Sequence, residues 1–206
     1  MDKIECQDKR HGLRGHASIY DVNFSKMAHA MITATANHHA ISSFRIAHSE
    51  RVKGLATMLA NRSNMKVDQV KLEIICDIHD MYEYVTTEKH GKLAAKFLQT
   101  FVDEYYPQLS GDKVEWLKAV EAVKLHSHKG VSSSNPYLML LQDADILDKI
   151  SIGYIEAWYN TFKANDVKEV ANTMVEKVRR YEGRTSAYLE MRQELSDKLT
   201  QYNTTI

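Results

Sequence analysis

Two prolines and eight glycines are all that this 206-residue chain offers as backbone breakers. A many-turned β-sandwich or an unfolded chain normally uses far more of both, so long helices are the economical solution. The hydrophobic pattern agrees, for from Phe24 onward apolar residues recur at steps of three and four. Val52, Leu55 and Leu59 form one stripe. Val67, Val70, Ile74 and Ile78 form a second, which Leu72 and Ile75 widen until the helix is nearly all apolar. A third runs through Leu93, Ala94, Phe97 and Phe101 and stops near Pro107, in a PQLSGD segment suited to a turn. Trp116, Ala119, Val120 and Val123 make a fourth. SHKGVSSSNP reads as a loop, with Asn135 and Pro136 set to start a helix through Leu138, Leu141 and Leu147. Two further helical stretches, roughly 151–163 and 167–203, close the chain. The expected fold is all-α.

Length and a 44% hydrophobic content suit one domain over residues 1–206, with a polar, irregular segment at 1–22 and C-terminal helices over about 165–203. The 27 basic and 27 acidic residues cancel, so no global field favours a nucleic-acid polymer or an anionic membrane as the main partner. Any polyanion must be met locally. Cys6 and Cys76 are too few to staple a fold, which suits a reducing compartment. MDKIECQDKRHGLRGH offers no apolar run for a signal or anchor, so a cytoplasmic protein is expected. Helix faces suited to a core and to a dimer look alike, which leaves a homo-oligomer open.

The ten histidines stand out, and several ionisable residues fall on the apolar stripes. His48 lies four residues before Val52 and seven before Leu55. His79 follows Leu72 and Ile75, His90 precedes Leu93, Ala94 and Phe97, and His126 follows Ala119, Ala122 and Val123 by helical steps. Asp145 continues Leu138 and Leu141. A single histidine so placed is ordinarily a hydrogen-bonded core residue. Five ionisable residues on five helix faces are harder to explain that way, because buried charge requires a partner or a metal. If the helices converge, these imidazoles and carboxylates surround one point and suit a divalent cation. Spacing alone leaves both readings open.

HSERV at 48–52, IHD at 78–80 and DADILD at 143–148 resemble the successive motifs of the HD-domain phosphohydrolases. KHGKLAAKFL at 89–98 is similar to the histidine-led helix that follows the HD pair, and LHSHKG at 125–130 to the next histidine-bearing turn. The resemblance spans about residues 44–160 and implies an HD-domain helical bundle with additional C-terminal helices. It also implies a primary metal held by His48, His79, Asp80 and Asp145, with Asp80 shared. His90 and His126 match the histidines that complete a second site, and His128 competes with His126. Asp143 and Asp148, off the inward stripe, are expected in a loop or at the surface. One or two ions are implied, of Mn²⁺, Fe²⁺, Co²⁺ or Mg²⁺, since no cysteine ligand supports structural zinc. The chain departs from the pattern at Cys76 and Asp77, in a tract usually apolar, and at Ile146, where the nucleotide pyrophosphatase-like branch commonly has arginine.

What the resemblance implies chemically is hydrolysis of a phosphoester or phosphoanhydride by metal-activated water, on a nucleotide or another small phosphorylated metabolite. Asp80 serves at the metal. Glu83, three residues after Asp80 and four after His79, is the candidate general acid or base, with a solvated residue as the alternative. Some HD nucleotidases and the alarmone hydrolases carry glutamate here, although Tyr84 departs from the aspartate that follows it in the latter. Arg51, Lys124 and Lys129 are candidate phosphate contacts, with a structural ion pair preferred for Arg51. Lys177, Arg179, Arg180 and Arg184 read as a solvated face rather than a cover for the site mouth. Tyr154, Trp158 and Tyr159 read as core rather than as a stacking platform for a base, and His11, His16, His29, His38 and His39 as surface or local packing. A di-iron oxygenase of the same superfamily and a non-catalytic nucleotide sensor are the alternatives.

Overall fold

The computed structural model describes residues 24–36, 39–105 and 113–205; the segment 1–22, the PQLSGD turn and His11, His16 and His38 lie outside them. Among the described residues there are helices and no strand. They run in order as α1 (24–35), α2 (His39–Arg62), α3 (Gln69–Ile78), α4 (His90–Tyr105), α5 (Lys113–Leu125), α6 (Pro136–Asp148), α7 (Ile152–Phe162), α8 (Val167–Arg179) and α9 (Tyr188–Thr205). None is long and apolar enough to cross a membrane.

Side chains that satisfy orphan amides mark the helix starts. Asp68 accepts from Lys71 N at α3, Ser151 from Tyr154 N at α7 and Asp166 from Lys168 N at α8. Asn135 does the same for Tyr137 and Leu138 at α6, with Pro136 in the first turn. The helices close on one hydrophobic core. α6 runs through its middle, buried from Tyr137 to Asp148 except at Met139, and packs on α2 and α5. α3 packs against α2 and α5, α4 flanks α5, and α7 to α9 pack on one another with α7 also against α2. Val52, Leu55 and Leu59 of α2 face inward as expected.

Three elements depart from the sequence reading. α3 begins only at Gln69, so Val67 precedes it and, like Val70, is half-buried. The buried face of α4 is Ala94, Ala95, Leu98 and Val102, while Leu93, Phe97 and Phe101 are half-buried. The aromatic pair has its own cover, since the Phe24 ring of α1 lies edge-on to Phe101 at 4.3 Å and to Phe97 at 6.1 Å.

The third departure is the stretch expected to be helical over about 167–203, which divides into α8 and α9. Gly183 takes a positive φ of 77° there, and Asp143 of α6 supplies the acceptors that the broken helix lacks. It accepts from the amides of Arg184 and Thr185 and from the hydroxyls of Tyr181 and Thr185. The unusual Asp77 has a comparable role between α1, α2 and α3. It is buried and accepts from Ser25 of α1 and from Lys53 of α2 at 2.9 Å, tying three helices together.

A Cβ on Gly183 would come within 2.1 Å of the Tyr188 ring, whereas one on exposed, mid-helical Gly54 meets nothing within 4 Å. Gly183→Ala is therefore expected to lose about 1–3 kcal/mol in urea unfolding. Gly54→Ala should gain up to about 1 kcal/mol, and equal midpoints for the two variants would contradict this account of the α8–α9 break.

Candidate metal centre

Helix ends deliver most of the centre. His79 caps the C-terminus of α3 with Asp80 in the turn that follows, His90 is the first residue of α4, and His126 sits in the turn after α5. His48 lies within α2 and Asp145 within α6. All six are buried, and they form two nests, His48–His79–Asp145 and Asp80–His90–His126, within each of which the potential ligand atoms lie inside 4.8 Å of one another.

Asp80 joins the nests. Its Oδ2 is 3.6 Å from His48 Nε2 and 3.5 Å from His79 Nε2, and its Oδ1 is 3.3 Å from His90 Nε2 and 3.2 Å from His126 Nε2. Asp145 Oδ1 approaches His48 Nε2 at 3.4 Å.

All four rings are oriented by the opposite nitrogen. Nδ1 of His79, His90 and His126 donates to the carbonyl three residues back, of Cys76 (2.8 Å), Thr87 (2.7 Å) and Val123 (2.7 Å). His48 Nδ1 meets Asp148 Oδ2 at 2.7 Å. Carbonyls only accept, so each Nδ1 facing one carries the proton, and a neutral ring then presents a bare lone pair at Nε2. His90 Nε2 and His126 Nε2 stand 3.0 Å apart, a separation at which two lone pairs repel unless a proton or cation lies between them. His79 Nε2 is buried and has no hydrogen-bond partner among the described residues. A buried acceptor without a donor is costly, and a cation among these atoms removes the cost. The donor set of imidazoles and carboxylates, without a thiolate, therefore fits a divalent ion such as Mn²⁺, Fe²⁺, Co²⁺ or Mg²⁺.

The electrostatics point the same way. Burial pushes His79 down to about 4, which keeps it in the neutral, ligating form. Burial presses on His48 too, but the carboxylates of Asp145 and Asp148 outweigh it and carry that ring up to about 9. Burial works against the Asp80 carboxylate, yet His79, His126, His90 and Arg45 hold it well below the usual range. Positive charge is favoured at the point where these groups meet.

An outer layer fixes the inner one. Asp148 accepts from His48, from Arg51 Nε at 2.7 Å and from Ser151 Oγ at 2.8 Å. Asp145 is held by Lys129 Nζ at 2.6 Å and Lys149 Nζ at 3.2 Å. Arg45 reaches Asp80 at 3.2 Å, Glu83 at 2.6 Å and the Tyr84 hydroxyl at 3.1 Å. Its guanidinium also lies near the rings of Phe44 and Tyr84, at 5.4 and 5.6 Å from their centres. Burial and the Asp80 charge push the Glu83 carboxyl up to about 7 against the pull of Arg45.

The six expected ligands thus come together, with Glu83 beside them on Arg45. Arg51 is in an ion pair with Asp148, and Lys129 is on Asp145. Lys124 is not at the centre; it is exposed on the outer face of α5, with Leu117 and Glu121, one residue round from the inward Val123. His128 is exposed and does not compete with buried His126. Asp143 and Asp148, expected in a loop or at the surface, are fully buried, because α6 is enclosed on every face and a carboxylate anywhere on it must find partners. Lys177, Arg179 and Arg180 are exposed, but Arg184 is half-buried and donates to the Lys129 carbonyl at 2.5 Å. Tyr154 is buried and stacks with half-buried Trp158, whose ring also meets Phe44. Tyr159 is half-buried, His39 is exposed, and His29 lies 3.8 Å from Glu50. Sequence reasoning missed Arg45, Lys149 and the role of Asp148. The available signal was their place one helical turn from His48 or Asp145.

The family profile for the HD domain matches residues 45–150. Among solved structures, a protein of an uncultured Thermotogales bacterium, described as a predicted HD superfamily hydrolase, is similar with a TM-score of 0.59 at 18% identity. The match covers 87% of this chain and 89% of that one, and at this identity it is a likeness of fold. No curated protein matches the sequence.

Asp148→Asn removes the charge that orients His48. It is expected to weaken Mn²⁺ binding, followed by calorimetry, by about 10–100-fold while the helical circular dichroism persists. Unchanged affinity would take His48 out of the ligand set.

Proposed function

This chain belongs to the HD-domain family, and from that premise we propose that it is a metal-dependent phosphohydrolase acting on a nucleotide or another small phosphorylated metabolite. The observation that carries the reading is the fully buried Nε2 of His79, without a hydrogen-bond partner among the described residues, set with three more imidazoles around Asp80 and Asp145. His48, His79, Asp80 and Asp145 would hold one ion, and His90 and His126, on the far oxygen of Asp80, a second. Such an ion supplies a Lewis acid for the phosphoryl group and a water of lowered pKa.

The surrounding residues suit the rest of the reaction. Glu83, with its carboxyl near 7, can take up or return a proton at neutral pH, and Arg45 holds that carboxyl beside Asp80. Lys129, half-buried at Asp145, offers an ammonium group to a phosphate oxygen. A compact site within one helical bundle suits a small polyanion better than a long polymer.

The test is a screen of metals against phosphorylated metabolites, scored by released phosphate or pyrophosphate. Asp80→Asn is close to isosteric but removes the shared negative charge. It is expected to abolish metal-stimulated hydrolysis by orders of magnitude with the helical spectrum intact. Near-normal turnover in this variant would sink the ligand assignment. Oxygen uptake by iron-loaded protein without phosphate release would instead move the centre to oxygenase chemistry.

A further inference from the structure

Gly91 follows His90 in the first turn of α4 and is buried. Glycine is a poor helix former beside alanine, so its place within a helix needs a reason. Backbone conformation does not supply one, because among the described glycines only Gly183 takes a positive φ. Space does. A Cβ on Gly91 would lie 2.9 Å from the Val123 carbonyl oxygen, 3.1 Å from His126 Cε1 and 3.2 Å from His126 Nδ1. The carbonyl belongs to the backbone of α5 and cannot swing aside as a flexible side chain would. Such closeness is not general here, since a Cβ on Gly54 or Gly130 meets nothing within 4 Å.

The atoms in the way have a particular role. Val123 O and His126 Nδ1 are the two ends of the 2.7 Å hydrogen bond that orients the His126 ring. Gly91 therefore lies against the bond that aims one histidine of the nest, while its chain neighbour His90 is the other. Across this contact the two Nε2 atoms stand 3.0 Å apart, and Asp80 Oδ1 lies 3.3 Å from that of His90 and 3.2 Å from that of His126.

We propose that Gly91 is a positioning residue for the second metal ion. By carrying no side chain it lets the start of α4 come close enough to the end of α5 for His90 and His126 to share Asp80, and so it sets whether the centre holds one ion or two. The proposal rests on the reading of these two histidines as ligands given above. A side chain at this position must displace the His126 ring, the Val123 carbonyl, or α4 together with His90. Each movement spoils the Asp80–His90–His126 nest, whereas His48, His79 and Asp145 lie on other elements and are not among the nearest neighbours of the added carbon.

The full chain, stripped with a chelator and titrated with Mn²⁺, is followed by calorimetry and electron paramagnetic resonance. The unaltered chain should take up two ions and show the spin-coupled spectrum of a close pair. Gly91→Ala should keep the first ion at unchanged affinity, weaken the second by about 10–100-fold and lose the coupled spectrum. Added to His126→Ala, the same substitution should cost little more, because both act on one ligand. Gly54→Ala should leave both ions in place. A coupled pair of undiminished affinity in Gly91→Ala, or equal weakening of both ions, would overturn the positioning role. If Gly91→Ala does not fold, the double variant with His126→Ala decides, since it removes the two contacts with the ring. A helical double variant that binds one ion supports the role, and loss of helix there as well overturns it. An unaltered chain that takes up no second ion, or keeps it in His90→Ala and His126→Ala, would instead remove the ligand reading itself.

Discussion

A carboxylate in a dry interior is stable only among cations or hydrogen-bond donors, and Asp80 collects its neighbours from several helices at once. His48 of α2, His79 at the end of α3, His90 at the start of α4 and His126 after α5 all turn Nε2 toward it, and Arg45 approaches from another side. The packing of four helices is thereby constrained at a single point. A shift of any one of them would leave either a bare carboxylate or a bare imidazole in the core, and each is expensive.

The same contacts finish the helices. The last carbonyls of a helix have no partner within it, and two of these, Cys76 on α3 and Val123 on α5, accept the Nδ1 protons of His79 and His126. Capping and the orientation of these candidate ligands are thus one interaction. A ring held by its own helix end reaches the centre with little freedom to turn away.

α6 organises the opposite side. Asp145, Asp148 and Asp143 leave it in different directions, toward the candidate metal centre, toward His48 and Arg51, and toward the segment between α8 and α9. Enclosure of α6 makes each carboxylate depend on specific partners, and contacts of Arg184 with the Lys129 carbonyl and of the Lys129 ammonium with Asp145 link the C-terminal segment to the centre. Asp77 extends the principle to α1, which it fastens to α2 and α3.

Much of this was legible in the order of residues. The three-to-four-residue spacing of apolar positions, the shortage of Pro and Gly, and the cap at Asn135–Pro136 define an all-α chain, because helix formation depends on near neighbours. The same periodicity set His48, His79, His90, His126 and Asp145 on inward stripes, and with the ordered motifs it marked the site. It erred where burial comes from elsewhere in the chain. Phe97 and Phe101 meet α1 rather than the main core, and Asp143 and Asp148 are buried because α6 is surrounded. Lys124 and Lys129, five residues apart, were alike as candidate phosphate contacts, yet only Lys129 reaches Asp145. The sequence by itself determined which residues form helices and which face of each is apolar, since both follow from local periodicity. Only the tertiary structure decided which carboxylate meets which cation, because such pairs join residues as distant as His48 and Asp148, whose meeting depends on how whole helices pack.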